Sequence, residues 1–391
     1  MPAYLDHAAS TPMRPEAVEA MLPWLRDHHA NPSGAHRLAR QARRALDEAR
    51  DVVAEAIGAE PGEVVFTSGG TEADNLAVLG VHDRRGGVPV ASAVEHHAVL
   101  DAVQARGGRV VAVDARGVID VGALAATLDA EVTLVSVMLA NNEVGSRQPL
   151  DDVAEVVRRV APTATIHTDA VQAMSWLEVA RAAAPADLVS ISAHKFGGPK
   201  GVGALAVRSG TPLAARQIGG GQERERRSGT PNLAGIVAMA TAARLTVDQR
   251  AETVERVTIQ RDRLADGLRA AIPDAVEVGV VDGDRRDRVG GICHLCFPGV
   301  ETEALLFLLE QDEVYASAGS SCASGAMEPS HVLAAMGVPR ELAFGALRLS
   351  LGWDSTDAEV DLALDVIPAA VSRLRRFSRP TAASPRVEES T

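Results

Sequence analysis

The chain has 391 residues, 46% of them hydrophobic, three cysteines and a formal net charge of −13. That size allows about two domains with ample core, and the acidic balance argues against direct nucleic-acid contact, which needs a basic face to neutralise phosphates. No run approaches the ~20 apolar residues that span a membrane, and the N-terminal MPAYLDHAAS lacks a basic stretch followed by an apolar one, so the cytoplasm is the expected location.

In chain order, the runs EVVFT, VPVAS, RVVAVD, TLVSVML, TIHTD, DLVSISA and GALAV alternate between Glu63 and Val207 with helical or turn segments. This rhythm predicts an α/β domain with a largely parallel sheet. A long helical region from about Asn232 to Ala271 leads out of it. Strand and helix signals then resume through GGICHLCF, ETEALLFLLEQ, VYASAG, SHVLAAMG and ALRLSLG to a last helix near Thr356 to Arg376, which reads as a smaller α+β domain. The expected division is 15–250 for the large domain, 1–14 with 251–376 for the small one, and a polar, proline-bearing tail over 377–391, expected to be disordered. Cys293 and Cys296 stand at CxxC spacing inside a strand, which turns the two thiols to opposite sides of the sheet as buried structural residues. Three cysteines make no disulfide framework in a chain of this size.

In a parallel sheet the binding crevice lies beyond the carboxyl ends of the strands. After the first strand, FTSGGTEADN brings Gly70 and Thr71 to a helix start, where free amides and the hydroxyl suit a phosphate. His96 follows the second strand, placed to stack on a ring and pass protons. Asn141 and Asn142 close TLVSVMLA. Asp169 closes TIHTD, and 26 residues later Lys195 follows DLVSISA, flanked by Ser192 and His194. Only two of the 39 basic residues are lysines, Lys195 and Lys200, both in SAHKFGGPKG. A desolvated amine condenses with an aldehyde, and a guanidinium does not. A carboxylate and an amine on opposite sides of one ring are what pyridoxal phosphate demands, the carboxylate keeping the ring nitrogen protonated. Taken singly, each feature has a plainer explanation: a capped turn, a loop histidine, a structural Asp–Lys ion pair. Together they describe one pocket.

These residues resemble the pyridoxal-phosphate cysteine desulfurases of the NifS and IscS type, in the class-V aminotransferase family. The similarity runs from YLDHAASTP at Tyr4 through FTSGGTEADN, EHHAVL, NNEVG, HTDAVQ, SAHKFGGPKG and RRSGTPN to the loop of Cys322 and ALRLSLG. It implies the aspartate-aminotransferase-like fold type I, with a large, mostly parallel α/β domain and a smaller α+β domain. It implies that Lys195 binds the cofactor aldehyde, Asp169 its ring nitrogen and Gln172 its ring hydroxyl, with His96 stacked on the ring and Asn142 in contact. Phosphate contacts would come from Gly70, Thr71, Ser192 and His194, with Thr230 reaching in from the second subunit of a homodimer. Arg348 and Asn31 would hold the substrate carboxylate.

The resemblance gives Cys322 its role: its thiolate attacks the sulfur of L-cysteine, leaving L-alanine and a persulfide for a sulfur-acceptor protein in iron–sulfur assembly, tRNA thiolation or another sulfur-modification pathway. The small residues of SAGSSCASG predict a mobile, exposed loop there. His7, Ala8 and Ala193 depart from the usual family pattern, and the tail does not resemble the docking segment of the housekeeping members, so the acceptor stays open. Two other readings keep the same scaffold: a selenocysteine lyase or other class-V enzyme, and a cofactor-binding scaffold subunit of a sulfur-modification complex.

Overall fold

The computed structural model describes residues 2–319 and 329–378. Seven of its strands build the central sheet: β2 (Val64–Thr67), β3 (Val88–Ser92), β4 (Arg109–Val111), β5 (Val132–Ser136), β6 (Thr165–Asp169), β7 (Leu188–Ser192) and β8 (Gly203–Val207), after a short β1 (Ala3–Tyr4). All seven match the runs expected from the sequence, β5 beginning one residue before its run, at Val132. Their order is β2-β8-β7-β6-β5-β3-β4, parallel from β4 through β7, with β8 antiparallel to both its neighbours. From β3 the chain steps outward to β4 and then crosses to the other side of β3 for β5. That reversal opens a crevice beyond the ends of β3 and β5, where the sequence places His96 and Asn142.

Both faces of the sheet are apolar, as helix-covered parallel sheets require. Val64, Phe66, Val135 and Ile191 point into one core, while Val65, Leu134, Leu188 and Leu205 point into the other. The second face is covered by helix α1 (Gly70–Arg85), through Ala73, Leu76, Ala77 and Val81, and by α2 (His97–Gln104), through Val99 and Val103.

Helix α3 (Leu233–Ala271), 39 residues, is the predicted long connector. At 1.5 Å per residue it runs roughly 60 Å. Its first half buries Ile236, Met239 and Ala243 in the core of the large sheet, and its second half buries Val257, Leu264 and Leu268 in another core. That second core is shared with β10 (Ile292–Cys296) and β12 (Ala346–Ser350), which pair antiparallel with β9 (Val276–Glu277) on the far side of β10. The chain start returns here: β1 lies parallel to β11 (Val314–Tyr315) through Ala3↔Val314 and Tyr4↔Tyr315. On β10, Cys293 packs with Leu347 and Leu349, while Cys296 packs with Met138 and Leu333 on the opposite side, as the strand period predicts. Burial pushes both thiols up to about 12.

One ionic cluster holds this region to α3 and to the crevice. The Glu277 carboxylate, 2% exposed, takes Arg285 Nε at 2.9 Å and Arg288 Nη1 at 3.5 Å, and Arg285 also reaches Asp266 at 2.7 Å. Arg288 in turn donates to the Val144 carbonyl. Removing one partner strands buried charge, so Glu277→Ala is expected to cost about 3–5 kcal/mol. A fall in the denaturant midpoint at constant slope is the readout, and an unchanged midpoint would show that the cluster contributes nothing.

Candidate active site

Beyond the strand ends lies a cavity of about 530 Å³. Its first wall is the start of α1. Gly69 has φ +152°, a region glycine favours, and a Cβ on Gly70 would stand 2.8 Å from Val171 Cγ2, so the turn fits only without side chains. This delivers Gly70 and Thr71 to the cavity at the N-terminus of a 16-residue helix, whose open amides attract anions. Facing them, Ser192 ends β7 with its Oγ buried and without a hydrogen bond among the described residues. His194 lies beside it, its Nδ1 3.4 Å from Ser10 Oγ. An unpartnered hydroxyl opposite a helix start is a donor set waiting for an anion such as phosphate.

Across the cavity, Asp169 closes β6, and its Oδ1 accepts the Val171 N–H at 2.8 Å. Burial raises this carboxyl to about 6, with the Val171 hydrogen bond and the charge of Lys195 pulling it down. Lys195 stands on the short 3-10 turn Ala193–Lys195 that follows β7. Its Nζ donates to the carbonyls of Ala8 at 2.6 Å and Ala9 at 2.9 Å. Burial first and then the Arg348 charge, opposed by Asp169 and Asp6, together lower the amine to about 8. His96 caps α2, its Nδ1 accepting the Ala98 N–H at 3.1 Å, which leaves the proton of the neutral ring on Nε2. Burial and then the Lys195 charge depress this ring to about 4, so it is uncharged at neutral pH. Gln172 also lines the cavity, and its Nε2 donates to the Ala8 carbonyl at 2.7 Å.

The Lys195 value carries a prediction. Only the neutral amine attacks an aldehyde, and its fraction rises with pH until the amine's pKa of about 8 is passed. Capture of pyridoxal phosphate by the cofactor-free protein is therefore expected to speed up roughly tenfold per pH unit below that value and to level off above it, followed by absorbance. A rate independent of pH below it would contradict a protonated resting amine.

On the side nearest β12, Arg348 donates through Nη2 to Asp6 at 2.7 Å and through Nη1 to the Asn142 carbonyl at 3.1 Å; its buried Nε has no partner among the described residues. Asn142 lines the cavity, whereas Asn141 builds the turn. The Asn141 Oδ1 accepts the N–H groups of Glu143 at 2.8 Å and Val144 at 2.9 Å. Ala316 to Gly319 form the rim, and Cys322, three residues further on, lies outside the described residues with the rest of 320–328. The tail beyond residue 378 lies outside them as well.

Of the residues singled out in the sequence, the cavity thus gathers Gly70, Thr71, His96, Asn142, Asp169, Gln172, Ser192, His194, Lys195 and Arg348. It does not gather Asn31, which is exposed and accepts the Ser33 N–H at 2.9 Å, or Thr230, which lines a separate pocket with Thr67, Ser68 and Arg227. Sequence reasoning missed Asp6, the Ala8 and Ala9 carbonyls and Asp74, all at the cavity, and Glu143, which does not line it. Asp74 had a signal, because it follows Gly70 by four residues and so shares its helix face. Glu143 sits in the NNEVG run, and its Oε2 accepts the Ser330 hydroxyl at 2.5 Å. His7 turns away from the cavity, its Nδ1 2.9 Å from Thr11 Oγ1. At Ala8 it is the main-chain carbonyl that meets Lys195 and Gln172, so the unusual side chain there leaves the contact intact.

The family model described as Aminotransferase class-V matches residues 3–363. An "IscS-like cysteine desulfurase" from Mycobacterium tuberculosis is 45% identical over 98% of this chain and 100% of that protein. Among solved structures, a "NIFS-LIKE PROTEIN" superposes with a TM-score of 0.88 at 34% identity, over 95% of this chain and 100% of that one. "SspA in complex with cysteine" superposes with a TM-score of 0.76 at 30% identity, over 90% of this chain and 100% of the other.

Proposed function

The chain belongs to the class-V aminotransferase family, and from that premise we propose that it is a pyridoxal-phosphate-dependent L-cysteine desulfurase. The observation that carries this reading is one cavity holding a depressed amine at Lys195, a buried carboxylate at Asp169 and an unpartnered hydroxyl at Ser192 beside a helix start. Pyridoxal phosphate fits that donor set: Thr71, the amides that open α1, Ser192 and His194 for the phosphate, Asp169 for the ring nitrogen, Gln172 for the ring hydroxyl, His96 against the ring face, and Lys195 for the aldehyde. When bound, the cofactor supplies an electron-withdrawing ring that acidifies the substrate's α-carbon.

The chain's own groups do the rest. Asp169, ionised near neutral pH, holds a proton on the ring nitrogen. Lys195 Nζ, neutral above about 8, takes and returns a proton beside the substrate carbon. Arg348, 3% exposed and aimed into the cavity, fits the substrate carboxylate. The sulfur step balances as L-cysteine plus the Cys322 thiol giving L-alanine plus a Cys322 persulfide. The Cys322 thiolate attacks the substrate sulfur, an S–S bond forms as the C–S bond breaks, and the carbon keeps that electron pair and gains a proton. Carbon is reduced and sulfur oxidised, so no outside oxidant is needed.

The persulfide would pass to an acceptor protein. Thr230, which lines a separate pocket of this chain, is read as serving the cavity of a second subunit in a homodimer. The handover of α3 from one core to the other between Ala243 and Val257 supports a domain division near residue 250. No described helix is long and apolar enough to cross a membrane, and the working location is the cytoplasm.

Turnover with L-cysteine and a reductant is expected to release alanine and sulfide in equal amounts. A protein that binds the cofactor and forms no alanine would instead be a scaffold subunit. Turnover confined to L-selenocysteine would make it a selenocysteine lyase.

A further inference from the structure

Beneath the cavity floor runs a row of polar side chains that the sulfur chemistry does not use. His167, fully buried, precedes Asp169 by two residues on β6. Its Nδ1 lies 2.8 Å from Ser136 Oγ on β5, and its Nε2 lies 3.0 Å from Ser190 Oγ on β7. The same Nε2 is 3.6 Å from Asp74 Oδ1. The Ser190 hydroxyl also faces the Asp74 carboxyl, and the Ser136 hydroxyl faces that of Glu95. The row therefore reads Asp74, Ser190, His167, Ser136, Glu95 across three neighbouring strands. Both terminal carboxyls are buried, and each keeps one oxygen without a hydrogen bond among the described residues, Asp74 Oδ1 and Glu95 Oε2. Asp74 lines the cavity together with Asp169.

Proton counting along the row restricts what the ends can be. A neutral imidazole donates through one nitrogen and accepts through the other. The serine that receives the imidazole proton passes its own to its carboxyl, which accepts. The serine that gives its proton to the imidazole has none left for its carboxyl and turns only lone pairs toward it, which suits a carboxyl that donates and repels an ionised one. With a neutral imidazole, one end of the row is matched by a protonated acid rather than by an ionised one. The Glu95 end already accepts, its Oε1 taking the Met138 N–H at 2.7 Å. Asp74 has no such N–H donor among the described residues and lines the cavity with Asp169.

We propose that Asp74 is held as a neutral carboxylic acid, a positioning residue that donates into the Ser190–His167 row and leaves Asp169 as the ionised carboxylate facing the ring. Burial first, then the charge of Asp169, push the Asp74 carboxyl well above its ordinary range, outweighing the Ser190 hydroxyl, which acts to lower it. Burial also depresses His167 to about 3, which keeps it neutral, and Glu95 is raised by burial as well. A second negative charge here would compete for the same ring proton, and a neutral acid does not. That consequence rests on the function proposed above; the protonation state itself does not.

The test is infrared spectroscopy of the holoenzyme carrying carboxyl-labelled aspartate, recorded near pH 8, where Asp169, raised only to about 6, is ionised. The expected result is an isotope-sensitive protonated-carboxyl band that disappears in Asp74→Asn. In Ser190→Ala the band is expected to persist at higher frequency, because its acceptor is gone. Absence of the band in the parent protein, or its survival in Asp74→Asn, overturns the proposal. Should Asp74→Asn fail to fold, the Ser190→Ala shift decides alone, and an unshifted band counts against the row. If the bands behave as stated while L-cysteine is not turned over, only the function reading falls.

Discussion

Lys195→Ala is expected to lower L-cysteine turnover by at least about a thousandfold, because it removes both the nucleophile and the group that carries the proton. No other lysine can take its place. The only other lysine, Lys200, is exposed and absent from the cavity. Lys195→Arg is expected to fail equally, since a guanidinium keeps the charge but neither condenses with an aldehyde nor accepts a proton. Thr71, Ser192 and His194 remain in both variants, so both should still bind pyridoxal phosphate but release it on denaturation more readily than the parent. The assay is alanine formed per subunit, paired with cofactor retained through gel filtration. Turnover above a tenth of the parent's in either variant would remove Lys195 from the chemistry.

The second large effect is at Cys322. Cys322→Ala is expected to reduce alanine formation by at least about a hundredfold while cofactor loading stays at the parent level, because none of the cofactor contacts named above involves that residue. The other two cysteines cannot substitute. Cys293 and Cys296 are buried on opposite sides of β10, and burial pushes both thiols up to about 12, where thiolate is scarce at neutral pH. A variant that keeps full L-cysteine turnover would show that sulfur leaves without a protein thiol, and the persulfide step would be wrong.

Much of this arrangement was legible in the sequence because short-range signals and tertiary placement agree. The alternating runs from Val64 to Val207 have the right length and β-branched content for buried strands, and a parallel sheet collects its strand ends at one edge. Residues such as Asp169, Ser192 and His96, each ending or just following a strand, are therefore brought together by topology alone. What was not legible depends on contacts that no local pattern encodes. The Lys195 amine meets carbonyls at Ala8 and Ala9, nearly two hundred residues earlier, and Arg348 meets Asp6 from the far end of the chain. Asn141 and Asn142 are adjacent and alike in sequence, yet the backbone turns one into a scaffold for Glu143 and Val144 and the other toward the cavity. The His167 row escaped notice for the same reason. Each member looks like an ordinary strand or helix residue, and only the pairing of β5, β6 and β7 sets two serines on either side of one imidazole.

The central claim, that sulfur passes from L-cysteine to Cys322, is tested most directly by one turnover of the purified holoenzyme with L-cysteine, followed by alkylation and mass spectrometry of the Cys322 peptide. The account predicts alanine equal to the enzyme present and a Cys322 peptide heavier by one sulfur atom, with Cys293 and Cys296 unmodified. Alanine formed with the extra sulfur absent from Cys322, or found on either buried cysteine instead, would contradict it.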